Sequence, residues 1–245
     1  MFEKFVAFRK IKNNSEYRKN IAEVLELPSE LLEQAARYVG LSQSQLKQDL
    51  FAFSKSGFKK GGYFVEFGAT NGKSLSNSYL LEKEFSWQGI VAEPAKNWHE
   101  ALRENRNCNI ETDCVWIKTG KMLDFVEADS GELSTLEAYK DQDHFAKKRN
   151  NSQGYQVKTI SLIDLLNKYD APDVIDYLSI DTEGSEFDIL NAFDFEKYRI
   201  NVITCEHNYT ENSQKIYQLL TSKGYERVYT GFSQWDDWYV LSDNN

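Results

Sequence analysis

Glu66 closes the apolar run Tyr63-Phe64-Val65 and stands two residues before Gly68, in a Glu-x-Gly-x-x-x-Gly pattern that ends at Gly72. Aromatic and β-branched residues favour a strand, and glycines reach backbone shapes closed to other residues. A strand that runs into a glycine turn brings backbone N–H groups close to a nucleotide-like ligand. Many strand–turn–helix junctions carry two glycines for geometry alone, so this spacing is weak without company. Glu66 occupies the place of the first glycine in the dinucleotide fingerprint Gly-x-Gly-x-x-Gly. A carboxylate there repels a pyrophosphate and can hold an ammonium group. That points to a cationic amino-acid ligand such as S-adenosylmethionine.

Further acids follow at the ends of apolar runs. In nucleotide-binding βαβ units an acid about 20 residues past the glycine turn reaches ribose hydroxyls, and Glu93 of Gly89-Ile90-Val91-Ala92-Glu93-Pro94 stands at that distance from Gly72. A carboxylate accepts two hydrogen bonds from a vicinal diol. The plain alternative is an exposed strand-end glutamate. Asp113 and Cys114 end the next run, where an adenine amino group could be read, or where Asp113 is simply a solvated loop acid. Asp181, Glu183 and Glu186 crowd the end of Tyr177-Leu178-Ser179-Ile180. The helix dipole explains an acid or two at a helix start, but three suggest a raised-pKa base, a metal ligand, or both. Glu206-His207-Asn208 end the run Val202-Ile203-Thr204-Cys205, with Glu206 and Asn208 on one face and His207 on the other. If the two runs are neighbouring strands, Asp181, Glu206 and Asn208 converge into an oxygen-rich set that suits Mg²⁺ or Ca²⁺ better than zinc. His207 could instead be a general base of near-neutral pKa. A lone histidine is usually structural, though this one is better placed than His99 or His144.

The elements that must position these residues alternate along the chain. Strands are expected at 62–67, 88–93, 109–117, 122–128, 155–160, 174–180, 199–206, 225–230 and 237–241. Helices are expected at 74–84, 95–105, 161–169, 185–192 and 211–223. Such alternation implies βαβ crossovers and a mostly parallel sheet, and the short Thr230–Ser233 link suits an antiparallel C-terminal hairpin. Residues 1–58 read as an N-terminal helical cover, or a lid near the ligand, with the main domain at 59–245. The polar stretch from Gly131 to Gly154 reads as an insertion over the ligand-binding edge.

Composition limits the partners. Hydrophobic and charged contents of 41% and 27% are ordinary for a soluble globular chain of 245 residues. The mean hydropathy of −0.60 and the lack of a long apolar run argue against a membrane span. A net charge of −9 disfavours nucleic acid and anionic membranes, although the run Lys147-Lys148-Arg149 is locally basic. The three cysteines lack metal-ligand spacing, and the N-terminus carries no apolar signal segment, so a cytoplasmic setting is expected.

Taken in order, these motifs resemble the FkbM-type S-adenosylmethionine-dependent methyltransferases. The resemblance lies in Phe64–Gly72, Ala92-Glu93-Pro94 and Ile180–Glu186, in Ser76-Asn77-Ser78, and in Lys158–Leu166. The Gln43–Phe51 stretch is similar to the lead-in of one branch, and Thr70-Asn71 departs slightly from the family's common Ala-Asn pair. The resemblance implies a seven-stranded Rossmann-like fold and methyl transfer to an oxygen, often a sugar or polyketide hydroxyl. It implies Glu66, Gly68 and Gly72 at the methionine moiety and Glu93 at the ribose. The full cofactor set expected is Glu66, Gly68, Ala69, Asn71, Gly72, Ser76, Asn77, Glu93, Pro94, Asp113 and Cys114. Asp181, Glu183 and His207 are the expected catalytic residues, and Asp181, Glu206 and Asn208 the expected ligands of a divalent cation such as Mg²⁺. Tyr139, Trp235 and Trp238 could stack on a sugar face, although aromatics near a chain end more often pack. The expected partner is a small-molecule or glycan acceptor, with self-association into a homo-oligomer left open. A non-catalytic module that binds a glycan or a protein is the competing reading. A nicotinamide-dependent oxidoreductase is disfavoured by Glu66.

Overall fold

The computed structural model describes residues 37–128, 133–140 and 153–242. Most of the expected N-terminal helices, most of the 131–154 insertion, His144 and the run Lys147-Lys148-Arg149 lie outside the described residues. A helix α1 (Gln48–Lys55) precedes β1 (Tyr63–Phe67), α2 (Tyr79–Phe85), β2 (Gln88–Ala92), α3 (His99–Asn105) and β3 (Asn109–Glu111). Then come β4 (Cys114–Trp116), β5 (Met122–Glu127), β6 (Thr135–Leu136), β7 (Gln153–Ser161) and α4 (Leu162–Lys168). The chain finishes with β8 (Val174–Ile180), α5 (Glu186–Asn191), β9 (Arg199–Glu206), α6 (Asn212–Ser222), β10 (Tyr225–Val228) and β11 (Asp236–Leu241).

The main sheet has seven strands in the order β10-β11-β9-β8-β1-β2-β3. The strands β1, β2, β3, β8 and β9 are parallel, and β11 runs antiparallel between β9 and β10. This is the expected Rossmann-like sheet with its C-terminal hairpin. The hairpin folds back, so its second strand is the one that joins β9. Alternation along β1 sets the two faces. Val65 and Phe67 enter one core with Ile90, Leu165, Leu178 and Ile203. Phe64 enters the other with Val91, Tyr177, Trp238 and the buried face of α1. Phe51 of α1 stacks on Trp238 at 4.6 Å, so this helix belongs to the sheet's own core. Burial of such a side chain contributes about 2–3 kcal/mol. Among the described residues no helix is long and apolar enough to cross a membrane.

Two expectations shift for identifiable reasons. The strand expected at 109–117 is two strands, because Glu111 Oε1 accepts from the N–H groups of Thr112 and Asp113 (2.9 Å each) and turns the chain. β4 thereby leaves the main sheet for a second one, ordered β4-β7-β5-β6. The helix expected from residue 74 begins only at Tyr79. The Ser76 and Ser78 hydroxyls before it donate to the Glu66 carboxylate, which holds the preceding residues in a loop.

Candidate active site

A cavity of about 310 Å³ opens at the carboxyl ends of β1, β2, β8 and β9, the edge where open α/β sheets bind ligands. Strand β6 (Thr135, Leu136) and the entry to β11 (Trp235, Asp236) close its sides. Thr70, Leu75, Glu183, Asn208 and Tyr209 line it with left-handed backbone, at φ between 46° and 64°. Non-glycine residues hold that conformation only where surrounding contacts over-determine it, and such residues gather at ligand sites.

Gly68 (φ 73°) is where β1 and β8 touch, since a Cβ there would sit 1.9 Å from the Asp181 carbonyl oxygen. The N–H groups of Gly68 and Ala69 both donate to Ala92 O (3.1 and 3.3 Å), so the turn is tied to β2 rather than aimed at a ligand. Glu93 completes that tie. Its Oε2 accepts from Thr70 N–H and its Oε1 from Ala95 N–H, both at 2.8 Å. Glu93 is buried on the cavity wall, not exposed, and burial together with the charges of Asp181 and Glu127 pushes its carboxyl up to about 7. Pro94 and Cys114 line the same end of the cavity.

Glu66 lies on the cavity wall but is already occupied. Ser76 Oγ (2.9 Å), Asn77 N–H (2.7 Å), Ser78 Oγ and the Arg106 guanidinium (3.4 Å) all donate to it. Its charge is met within the protein by Arg106, which weakens its hold on a ligand ammonium. Asn77 is the better candidate on this wall. Its Nδ2 donates to Ser179 Oγ (2.9 Å), while its Oδ1 is buried without a partner. Ala69, Asn71, Gly72 and Ser76 shape the turn and do not line the cavity. Asn71 Oδ1 caps the N–H groups of Lys73 and Ser74 (2.9 and 2.8 Å), and Asp113 is paired on the outside with Lys158 (2.8 Å).

The other end of the cavity is acidic. Because β8 and β9 are neighbours, Asp181, Glu183 and Glu206 converge, with one carboxylate oxygen of each within 4.8 Å of the others. Burial raises Asp181 to about 6, with the charges of Glu186 and Glu66 adding to it and a hydrogen bond with Glu206 opposing, while burial and the charges of Asp181 and Glu183 raise Glu206 well above its usual range. Asn208 Nδ2 donates to Glu206 Oε2 (2.8 Å), which ties its side chain to the acids. Glu186 is structural: its Oε1 accepts from Thr182 N–H, Thr182 Oγ1 (both 2.9 Å) and Gly184 N–H (3.0 Å).

His207 is turned away from this cavity, as strand alternation requires. Its Nδ1 accepts from Tyr209 N–H (3.0 Å) and its Nε2 faces Asp237 (3.7 Å), which leaves it no route to a proton in the cavity. Of the aromatics, Trp235 lines the cavity, whereas Trp238 is core and the Tyr139 hydroxyl donates to Asp188. Asp236 went unrecognised in the sequence because the last strand was expected one residue later. It pairs in register with Glu206, and burial plus the charges of Asp181 and Asp237 raises it to about 8. Arg106 carried no sequence signal at all.

Glu93 and Asp236 bind their protons more tightly folded than unfolded. Between the unfolded values (4.5 and 3.8) and the folded ones (about 7 and about 8) the unfolded chain holds fewer protons, so stability falls as the pH rises. The ligand-free protein should therefore be more stable at pH 6 than at pH 8.5 by on the order of 4 kcal/mol, roughly ten degrees of melting temperature. A flat or rising profile in calorimetry across that range would count against this placement of the two carboxyls.

Comparison with known proteins places the chain. The model of the methyltransferase FkbM domain matches residues 66–227, more than half of the chain. No curated protein matches it. Among solved structures, a methyltransferase FkbM from Methylobacillus flagellatus KT is 11% identical with a TM-score of 0.47, and the match covers 91% of this chain but 59% of that one. A precorrin-6y C5,15-methyltransferase from Geobacter metallireducens GS-15 is 12% identical (TM-score 0.41; 78% and 84% covered). The SAH-bound Podospora anserina methyltransferase PaMTH1 is also 12% identical (TM-score 0.39; 94% and 97% covered). These overlaps are loose, and the assignment rests on the family match, which begins at Glu66 and spans every acidic strand end except that of Asp236. The chain belongs to the FkbM family of S-adenosylmethionine-dependent methyltransferases.

Proposed function

We propose that this protein transfers a methyl group from S-adenosylmethionine to a hydroxyl of a sugar or glycan. The observation that carries the reading is one continuous cavity with Glu93 at one end and the paired acids Asp181 and Glu206 at the other. Its residues fit the cofactor: Glu93 retains acceptor lone pairs for a ribose diol, and the unpartnered Asn77 Oδ1 is available to the methionyl ammonium. When bound, S-adenosylmethionine supplies an electrophilic methyl on a sulfonium. The protein's task is then to align an acceptor oxygen and receive its proton. A carboxyl pair poised between about 6 and higher values suits that task near neutral pH. Asp181, Glu183 and Glu206 could alternatively hold Mg²⁺, which would lower the hydroxyl's pKa instead. We take 59–245 as the methyltransferase domain behind an N-terminal cover, of which Gln45 and Gln48 reach the cavity. The three free cysteines suit a reducing, cytoplasmic setting.

Titration calorimetry with S-adenosylmethionine and S-adenosylhomocysteine tests the reading, and a folded protein that binds neither refutes it. Glu93→Gln should weaken S-adenosylhomocysteine binding about tenfold, the loss expected when a charged acceptor becomes neutral. Glu93→Ala is a poorer probe, because it strands the buried N–H groups of Thr70 and Ala95 and costs about 1–3 kcal/mol of stability. Adding Mg²⁺ in the same calorimeter judges the cation, for which heat in wild type and none in Asp181→Asn is expected.

A further inference from the structure

Every charged side chain on the cavity wall is acidic: Glu66, Glu93, Asp181, Glu183, Glu206 and Asp236 line it, and among the described residues no Lys, Arg or His does. Several of these charges are met within the protein, Glu66 by Arg106, Glu93 by two N–H groups, and Asp181 by a hydrogen bond with Glu206. Asp236 differs. It is 4% exposed, and both hydrogen bonds made to it, from Gln48 Nε2 and Trp238 Nε1 (3.1 Å each), arrive at Oδ2. Its Oδ1 is left on the cavity wall with no hydrogen-bond partner among the described residues. Register with Glu206 sets Asp236 beside the acidic end of the cavity that both residues line.

We propose that Asp236 Oδ1 anchors an ammonium subsite and that the methyl acceptor is an amino-substituted polyol such as an amino sugar, a proposal that rests on this cavity being the acceptor site. A phosphorylated or nucleotide-linked acceptor would shed its hydration and meet no counter-charge on this wall. In the ligand-free cavity Asp236 holds a proton at neutral pH; an arriving ammonium displaces that proton to solvent and gains a charge-assisted hydrogen bond, roughly twice as strong as the one a neutral hydroxyl makes. Mg²⁺ needs several convergent oxygens, which Asp181, Glu183 and Glu206 offer and a single free oxygen of Asp236 does not. Gln48, Asp236 and Trp238 all lie outside residues 66–227, so the subsite is built by the chain's own flanking segments, not by the part the family model matches.

The test is calorimetry of the full chain loaded with S-adenosylhomocysteine, titrated with glucosamine, N-acetylglucosamine and glucosamine 6-phosphate, in excess Mg²⁺ and in EDTA. Glucosamine should bind at least about tenfold tighter than its N-acetyl form, and the phosphate weaker than the free amine, in both buffers. Asp236→Asn can keep an oxygen toward Gln48 and Trp238 while turning an NH₂ into the cavity. It should erase the preference and leave S-adenosylhomocysteine affinity unchanged. Equal or tighter binding of the acetamide or the phosphate overturns the proposal. So does the absence of measurable binding by all three, or a preference that survives in a folded Asp236→Asn. If that variant does not fold, the charge series in wild type decides alone. Titration of S-adenosylhomocysteine by itself judges methyl transfer separately: amine binding without cofactor binding would refute that function and leave the ammonium subsite standing.

Discussion

Gly68→Ala is expected to destabilise the protein by about 2–4 kcal/mol and to cost most of its affinity for S-adenosylhomocysteine. Two effects add. The residue sits at φ 73°, where an alanine is strained by about 1 kcal/mol. The larger effect is contact, because the new Cβ would lie 1.9 Å from the Asp181 carbonyl oxygen and 3.1 Å from its carbonyl carbon. Both are backbone atoms, so no side chain can rotate aside. Either β1 and β8 separate, or the turn moves off Ala92, and each response shifts Asp181 or Glu93. Gly120→Ala separates the two effects, since its φ is 78° but nothing lies within 4 Å of its Cβ. It should lose about 1 kcal/mol and leave the cofactor site intact. Urea denaturation and calorimetry of both variants check the pair. Wild-type stability and affinity in Gly68→Ala would mean that the two strand ends are not in contact.

The strand ends were legible in the sequence because the physics that makes them is local. An apolar run of alternating faces followed by an acid or a glycine marks both the strand and its exit, and in a parallel sheet all such exits share one edge. That is why Glu93, Asp181, Glu183 and Glu206 could be placed together without coordinates. What failed depended on contacts far apart in the chain. The place of Glu66 in the glycine pattern points to a ligand ammonium, but its charge is met by Arg106 from the end of α3, 40 residues on. Asp236 was lost for a similar reason, since its placement depends on the β9–β11 register and on Gln48 from the other end of the chain. His207 shows how far alternation can be trusted. Its face was foreseen, and that same face excludes it from the cavity.

Loss of Arg106 should be the most damaging single change outside the cavity, and Arg106→Met is expected to cost about 3–5 kcal/mol. Arg106 is 3% exposed, and its guanidinium joins three parts of the site's foundation. It donates to Gly72 O (3.2 Å) in the glycine turn, to Ser76 Oγ (3.1 Å) and Ser78 Oγ (2.8 Å) ahead of α2, and to Glu66 and Glu82. Burial would raise Glu82, yet the Arg106 charge together with hydrogen bonds from Asn107 N–H, Arg106 and Lys83 outweighs it and holds the carboxyl below its usual value. Methionine fills much of the volume over the Phe64 ring but leaves the buried Glu66 carboxylate without a cation and Glu82 with Lys83 alone (3.0 Å). Against a typical total stability of about 5–15 kcal/mol, that loss leaves a marginal protein. The triple variant Arg106→Met, Glu66→Gln, Glu82→Gln removes the uncompensated charge and should recover at least half of the deficit in guanidinium denaturation. If the single variant loses under about 1 kcal/mol, Glu66 is not held by Arg106. Its carboxylate would then be free to take a ligand ammonium, as its sequence position suggests.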